Sequence, residues 1–265
     1  KRGLDVIIAT PGRLLDLHRR DFVDLSGIQY FVLDEADRML DMGFVRDVRM
    51  IVGSLPEGRQ SLLFSATMPN EIARLANDIL RDPLRVEVAP QATPVDRIKQ
   101  SVLHVAAGGG KTGALRDVFT DPDLSRVILF TRTKHRANRV AEQLDKMDVP
   151  AVVIHGNKSQ SARQKALKRF STGNCRVLVA TDIAARGLDI DGVTHVINYE
   201  LPNEPESYVH RIGRTARAGA SGVAIALCDP SERKYLRDIE RLLKMPLTVI
   251  GDGPQGEETA PPKRK

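Results

Sequence analysis

The chain has 265 residues, 42% of them hydrophobic but only 4% aromatic, with no Trp and a net charge of +6. That length gives room for about two domains with cores of their own, and no apolar run approaches the length of a bilayer span. The sequence after Lys1-Arg2-Gly3 reads as a strand rather than a secretory leader, and Cys175 and Cys228 lack paired or metal-ligand spacing, which fits buried reduced thiols and a cytoplasmic location.

In chain order, Asp5–Ala9 reads as a strand, Leu14–Leu17 as helix, Ile28–Leu33 as a strand and Phe44–Val52 as helix. Leu62–Phe64 is the next strand, Pro69 opens an apolar-periodic helix ending near Leu80, and Leu84–Val88 is a short strand. Ala89–Pro94 has neither period and reads as a linker. A second block places strands near Ser101–Val105, Val127–Phe130, Ala151–Ile154, Val177–Val179, His195–Asn198 and Val223–Leu227, with helices notably at Arg136–Met147 and Ser161–Phe170. Such alternation predicts α/β domains built on parallel sheets. The expected limits are residues 1–90, residues 95–250, and a disordered tail over 251–265.

Charge is uneven between the blocks. Residues 1–90 carry 12 basic and 14 acidic side chains, residues 91–250 carry 25 and 17, and the tail carries 3 and 3. The basic second block suits a polyanion bound through its phosphates, or else is only a solvated surface. With so few aromatics, backbone contact is favoured over base stacking.

The stretch richest in chemistry is VLDEADRML, where an apolar strand runs into Asp34-Glu35-Ala36-Asp37. Carboxylates at the C-terminal end of a buried strand lie where open α/β sheets bind ligands. One such Asp can hold Mg²⁺ against a nucleotide triphosphate while the Glu orients water, and a solvated turn is the plainer alternative. Gly108-Gly109-Gly110-Lys111-Thr112 looks like a phosphate loop, but the required Gly five positions before Gly110 is Val105, so a plain turn into a helix is expected. No other Gly-x-x-x-x-Gly-Lys-Ser/Thr occurs in the chain.

Thr10-Pro11-Gly12-Arg13, the Asp-Glu-Ala-Asp run, Ser65-Ala66-Thr67, VLVATDIAARGLDI (177–190) and HRIGRTARAG (210–219) follow in this order. Together they resemble the DEAD-box family of ATP-dependent RNA helicases, over nearly all of Val6 to about residue 245. The wording of ILFTRTKHRANRVAEQL and AVVIHGNKSQSARQKAL is nearest the bacterial RhlE-like subgroup. The resemblance implies two RecA-like domains. Because the family carries its phosphate loop ahead of the segment that Thr10–Arg13 matches, it also implies a first domain incomplete at its N-terminus, in a fragment of a longer reading frame.

The same resemblance implies roles at matching positions, with ATP and Mg²⁺ as cofactors. Asp34 and Glu35 would bind Mg²⁺ and activate water, and Arg214 and Arg217 match arginine fingers that reach from the second domain to the first. Asp37 would be a hydrogen-bond acceptor linking its strand end to Ser65 and Thr67. The Ser-Ala-Thr segment would couple nucleotide state to the domain interface, although both hydroxyls could instead be plain strand-end or helix-cap groups. His210 and Arg211 match interface couplers, and Gly187 and Asp189 match positions that hold the ribose. Ala216 stands where many relatives have Gly.

RNA contacts are implied at Pro11, Gly12 and Arg13, ahead of a helix whose N–H groups favour phosphate and which bends one strand. In the second domain they are implied at Thr133, His155, Gly156, Gln160, Arg163, Thr181 and Asp182. His155 could instead be a packed strand-end histidine. The implied activity is ATP hydrolysis coupled to local RNA unwinding, with little sequence preference, no membrane, and ribosome-assembly or RNA-decay proteins as further partners. Without a phosphate loop the supplied chain is expected to be inactive alone, so the alternative is a non-catalytic RNA-binding module. A DNA helicase is disfavoured by Asp37 and by the Arg-Gly-Leu-Asp wording.

Overall fold

Residues 30–33 read Tyr-Phe-Val-Leu, and their alternation turns Phe31 and Leu33 toward a core while Tyr30 and Val32 stay exposed. In the computed structural model, which describes residues 4–87, 97–185, 190–217 and 220–251, this stretch forms β1 (Tyr30–Leu33). It pairs in parallel with β2 (Gln60–Leu63), Leu33 opposite Leu63. The chain divides into two units, Lys1–Glu87 and Val88–Lys265.

In the first unit, helices α1 (Pro11–Arg19), α2 (Ala36–Asp41), α3 (Val45–Gly53) and α4 (Asn70–Ile79) surround this pair in sequence. Helix α4 buries Ile72, Leu75 and Ile79, spaced as one helical face, against Leu33, Ala36 and Val48. A smaller cluster of Leu15, Leu25, Ile51 and Leu55 packs α1 to α3.

Two expected strands do not form among the described residues of this unit. Residues 5–9 and 84–87 are unpaired among the described residues, and Ile8 and Leu84 are 94% and 90% exposed. Their composition suits a strand, but a strand persists only where a neighbour takes up its N–H and C=O groups. The expected linker, the tail beyond Gly251, and the ribose candidates Gly187 and Asp189 lie outside the described residues.

The second unit is a seven-stranded sheet: β3 (Ile98–His104), β4 (Val127–Thr131), β5 (Ala151–Ile154), β6 (Val177–Thr181), β7 (His195–Asn198), β8 (Gly222–Cys228) and β9 (Thr248–Val249). Its order is β5-β6-β4-β7-β8-β3-β9, and every neighbouring pair is parallel. Strands β4, β6 and β7 are buried along their whole length, as a parallel sheet covered on both faces requires. Ile128, Phe130, Leu178 and Val196 face one apolar cluster, and Val127, Leu129, Val179 and Ile197 face the other.

Helices α5 (Gly110–Val118), α6 (Lys134–Asp145), α7 (Gln160–Ser171), α8 (Asp182–Ala185), α9 (Pro205–Ile212) and α10 (Arg233–Leu243) complete the layers. The Gly108–Thr112 segment is the plain turn expected, and Lys111 points inward rather than to a ligand loop. Both cysteines are free and buried, and burial pushes the Cys228 thiol up to about 12.

Candidate functional site

In the first unit, the chain leaves β1 through two exposed acids. The carboxylate of exposed Asp34 accepts the Glu35 N–H at 2.9 Å on one oxygen. Glu35 sits at φ 52°, ψ 48°, a left-handed conformation that costs a non-glycine residue roughly 1–2 kcal/mol. Strain of this kind persists where surroundings over-determine it. Here the Ala36 N–H bonds Phe64 O at 3.0 Å, and Arg38, itself nearly buried, holds the Glu35 carboxylate at 2.6 Å.

One turn on, Asp37 points back into the unit. Its Oδ2 accepts from both the N–H and the hydroxyl of Thr67, each at 2.9 Å. The Ser65 hydroxyl accepts the Asp37 N–H at 3.0 Å and donates to Thr67 O at 2.7 Å. Burial alone would raise the Asp37 pKa, but the hydrogen bonds from Thr67, Arg38 N–H and Ser65 outweigh it and hold the carboxyl below its usual value. The acidic run is therefore tied to the end of β2 through Asp37, while Asp34 and Glu35 remain open to solvent.

Pro11, Gly12 and Arg13 form the first turn of α1. Pro11 is the buried first residue, Gly12 and Arg13 are exposed, and the Thr10 side chain makes no cap bond to their N–H groups. A helix start of this kind favours an anion. Arg13 is held by Asp16 at 2.8 Å on the surface.

In the second unit, Arg211 is the largest buried polar feature, 1% exposed. Its guanidinium makes two bonds to Asp182, at 2.6 and 2.8 Å, and donates to Asn198 Oδ1 at 3.0 Å and Glu200 O at 2.6 Å. It also lies over the Phe130 ring at 5.2 Å. So Arg211 is an internal brace within its own unit, and Asp182 is its counter-ion. His210, Arg214 and Arg217 are half-buried around the end of α9, and Arg217 Nε donates to Gly213 O at 3.2 Å.

The remaining candidates divide by exposure. Thr133, Gly156 and Gln160 are exposed and Arg163 is half-buried, donating to Ala184 O at 3.5 Å. Thr181 is buried at the end of β6. His155 is 4% exposed, with Nε2 beside Asn138 Oδ1 at 3.1 Å and Nδ1 buried without a partner. Burial, then the nearby Lys158, Lys134 and His135, lower its pKa, so the ring is neutral near pH 7. Its geometry is that of the packed strand-end histidine.

Sequence reading missed a second buried charge cluster. Lys111 Nζ donates to Tyr199 O at 2.7 Å and to Glu232, a carboxylate with no exposed surface. Glu232 also accepts from Arg132 Nη2 at 3.1 Å and Leu201 N–H at 3.2 Å. One signal was available: Asp229-x-x-Glu232 is a capping box, and both of its bonds form.

Comparison with known proteins agrees with this arrangement. The DEAD/DEAH box helicase profile matches residues 1–75, and the helicase conserved C-terminal domain profile matches residues 110–219. The RNA helicase CrhR of Synechocystis is 45% identical over 249 residues, covering 94% of this chain and 51% of the relative. The DEAD-box ATP-dependent RNA helicase CshA of Bacillus subtilis is 44% identical over 244 residues, covering 92% and 49%. The chain thus spans about half the length of these relatives. Saccharomyces cerevisiae Dbp5 bound to RNA and ADP BeF3 superposes with a TM-score of 0.83 at 33% identity, over 91% of this chain and 64% of that one. Escherichia coli SrmB, solved with the regulator RraA, is 36% identical over 58% of this chain and 91% of that one, with a TM-score of 0.56. By these matches and by its own ordered motifs, the chain belongs to the DEAD-box RNA helicase family.

Proposed function

We propose that this chain supplies the strand-end acids and the basic second domain of a cytoplasmic, RhlE-like RNA helicase that couples ATP hydrolysis to local RNA unwinding. The observation that carries this reading is the division of labour in the acidic run. Asp37 is consumed in bonding Thr67, whereas Asp34 and Glu35 stand exposed at the strand end. Residues 1–90 and 95–250 are the two domains of this reading.

Asp34 fits Mg²⁺, since that ion keeps most of its waters and needs only one protein carboxylate beside phosphate oxygens. Bound there, the ion would neutralise phosphate charge during transfer. Glu35, held by Arg38, orients the attacking water, and Arg214 and Arg217 stabilise charge on the transferred phosphoryl group. The first turn of α1, with Thr133, Gly156, Gln160 and Arg163, binds RNA phosphates, and partners from ribosome assembly or RNA decay direct the activity.

The test is RNA-stimulated phosphate release by the 265 residues alone and by the same residues fused behind a DEAD-box phosphate-loop segment. The fusion should turn over and the chain alone should not. In the fusion, Glu35→Gln should abolish turnover while keeping RNA binding, and Arg217→Ala should cut kcat roughly a thousandfold. A fusion that binds RNA but never hydrolyses ATP would favour a non-catalytic RNA-binding module.

A further inference from the structure

The turn between β4 and α6 carries Thr133, the exposed N-cap residue whose hydroxyl accepts the Arg136 N–H at 3.2 Å. Two acids from distant parts of the second unit grip this turn. Glu200, after β7, accepts the Arg132 N–H at 2.9 Å on one oxygen and Arg136 Nε at 3.2 Å on the other. Glu232, after β8, takes Arg132 Nη2 at 3.1 Å and is fixed from behind by Lys111. Arg132 also donates to Asn203 Oδ1 at 3.2 Å and lies over the Tyr235 ring at 5.6 Å.

We infer that Glu200 and Glu232, acting through Arg132 and Arg136, are positioning residues for the RNA phosphate contact at Thr133. Lys111, the lysine of the abandoned phosphate-loop motif, anchors that network. The inference rests on the reading that Thr133 meets RNA. Both arginines are engaged by carboxylates, Arg132 by Glu232 and Arg136 by Glu200. The buried acids set the backbone of the turn, and the turn sets the hydroxyl and the α6 start that face the strand.

Electrostatics and positioning make opposite predictions here. Removing a carboxylate near a polyanion site should strengthen RNA binding if charge alone matters, whereas loosening the turn should weaken it. The experiment uses the full chain, a short fluorescent single-stranded polyuridylate, and anisotropy titration of wild type, Glu200→Gln and Arg132→Lys. Arg132→Lys keeps the charge but loses the planar fork that spans Glu232 and Asn203.

Both variants should bind about fivefold more weakly, the scale of one misplaced hydrogen bond. Amide hydrogen exchange without RNA should quicken at Arg132 and Arg136 in Glu200→Gln, with the melting transition of the unit retained. Equal or tighter RNA binding by Glu200→Gln would overturn the proposal, as would unchanged exchange at both amides. If wild type itself fails to bind, the RNA reading falls instead, and the exchange measurement alone then decides whether the acids hold the turn.

Discussion

Asp37 and Thr67 are joined twice, by the hydroxyl and by the N–H of Thr67, both on one carboxylate oxygen at 2.9 Å. This pair closes the gap between the end of β1 and the end of β2. Charge-assisted bonds of this sort each contribute about 1.5–3 kcal/mol, so Asp37→Asn should lower the stability of the first unit by a similar amount in urea titrations at neutral pH. Folding lowers the Asp37 pKa below 3.8. Its stabilisation is therefore complete above that value and drains away as pH falls through the folded value. The gap between wild type and Asp37→Asn should shrink over that window. A gap that stays constant into strong acid would show that the carboxylate charge is irrelevant.

Arg211 and Asp182 make a second prediction. Their bidentate pair lies inside the second unit, with Arg211 1% exposed and its remaining donors on Asn198 and Glu200 O. Removing one partner of a buried pair leaves the other charge uncompensated, at a cost of about 3–5 kcal/mol. Arg211→Ala should thus lower the melting temperature of the second unit markedly, and Arg211→Lys should rescue it only in part, because a point charge cannot replace the planar fork. Unchanged melting, with ATP turnover lost in the phosphate-loop fusion, would instead support the interface-coupler role that the resemblance implies.

Most of the second unit was legible in the sequence because its strands are short apolar runs, and β5 and β7 begin and end where those runs do. The acids of the Asp-Glu-Ala-Asp run were legible as chemistry because type and spacing are local. Over the described residues 5–9 and 84–87 the expected strands do not form for a non-local reason: a strand exists by virtue of its neighbour, and composition does not say whether one is present. The Lys111–Glu232 and Arg211–Asp182 pairs were invisible for the same cause. Their partners lie 121 and 29 residues apart and meet only once the sheet has set its order. The spacing around Lys111 speaks against a phosphate loop, but spacing alone does not say that its charge goes to Tyr199 O and Glu232.

Ala216 and Gly222 give a local test of backbone strain. Ala216 lies at φ 56°, where glycine is relieved of a Cβ clash worth roughly 1–2 kcal/mol. Ala216→Gly gives up part of that gain in the unfolded chain, so the net change should be neutral to about 1 kcal/mol stabilising. Gly222 has the opposite demand: a Cβ there would lie 2.4 Å from Thr215 Oγ1, 2.5 Å from its Cγ2 and 2.9 Å from Ala216 N. Thr215 is buried and donates to Val193 O at 2.5 Å, so it cannot easily retreat. Gly222→Ala should cost about 1–3 kcal/mol by overpacking. Thermal melts of the two variants should move apart, and a tolerated Gly222→Ala would mean that the turn after α9 yields freely.

The second unit should also fold by itself. Its sheet is covered on both faces by two separate apolar clusters, each built from residues of this unit, and β9 closes the edge through Ile250 N–H to Val102 O at 2.9 Å. A fragment running from residue 95 through Gly251 should therefore unfold in one cooperative step. Native Cys228, its thiol pushed up to about 12 by burial, should resist alkylation at neutral pH until that step. Residues 91–250 carry 25 basic against 17 acidic side chains, but many cations are already spent on partners within the unit: Lys111 on Glu232, Arg132 and Arg136 on Glu200, Arg211 on Asp182. Phosphate binding should draw on the rest. Each phosphate neutralised removes about 0.7 from the log–log slope of single-strand affinity against salt, so the slope should correspond to a few contacts rather than to the full count of basic residues. A flat salt response, or no binding at low salt, would show that the positive charge of this unit is only a solvated surface.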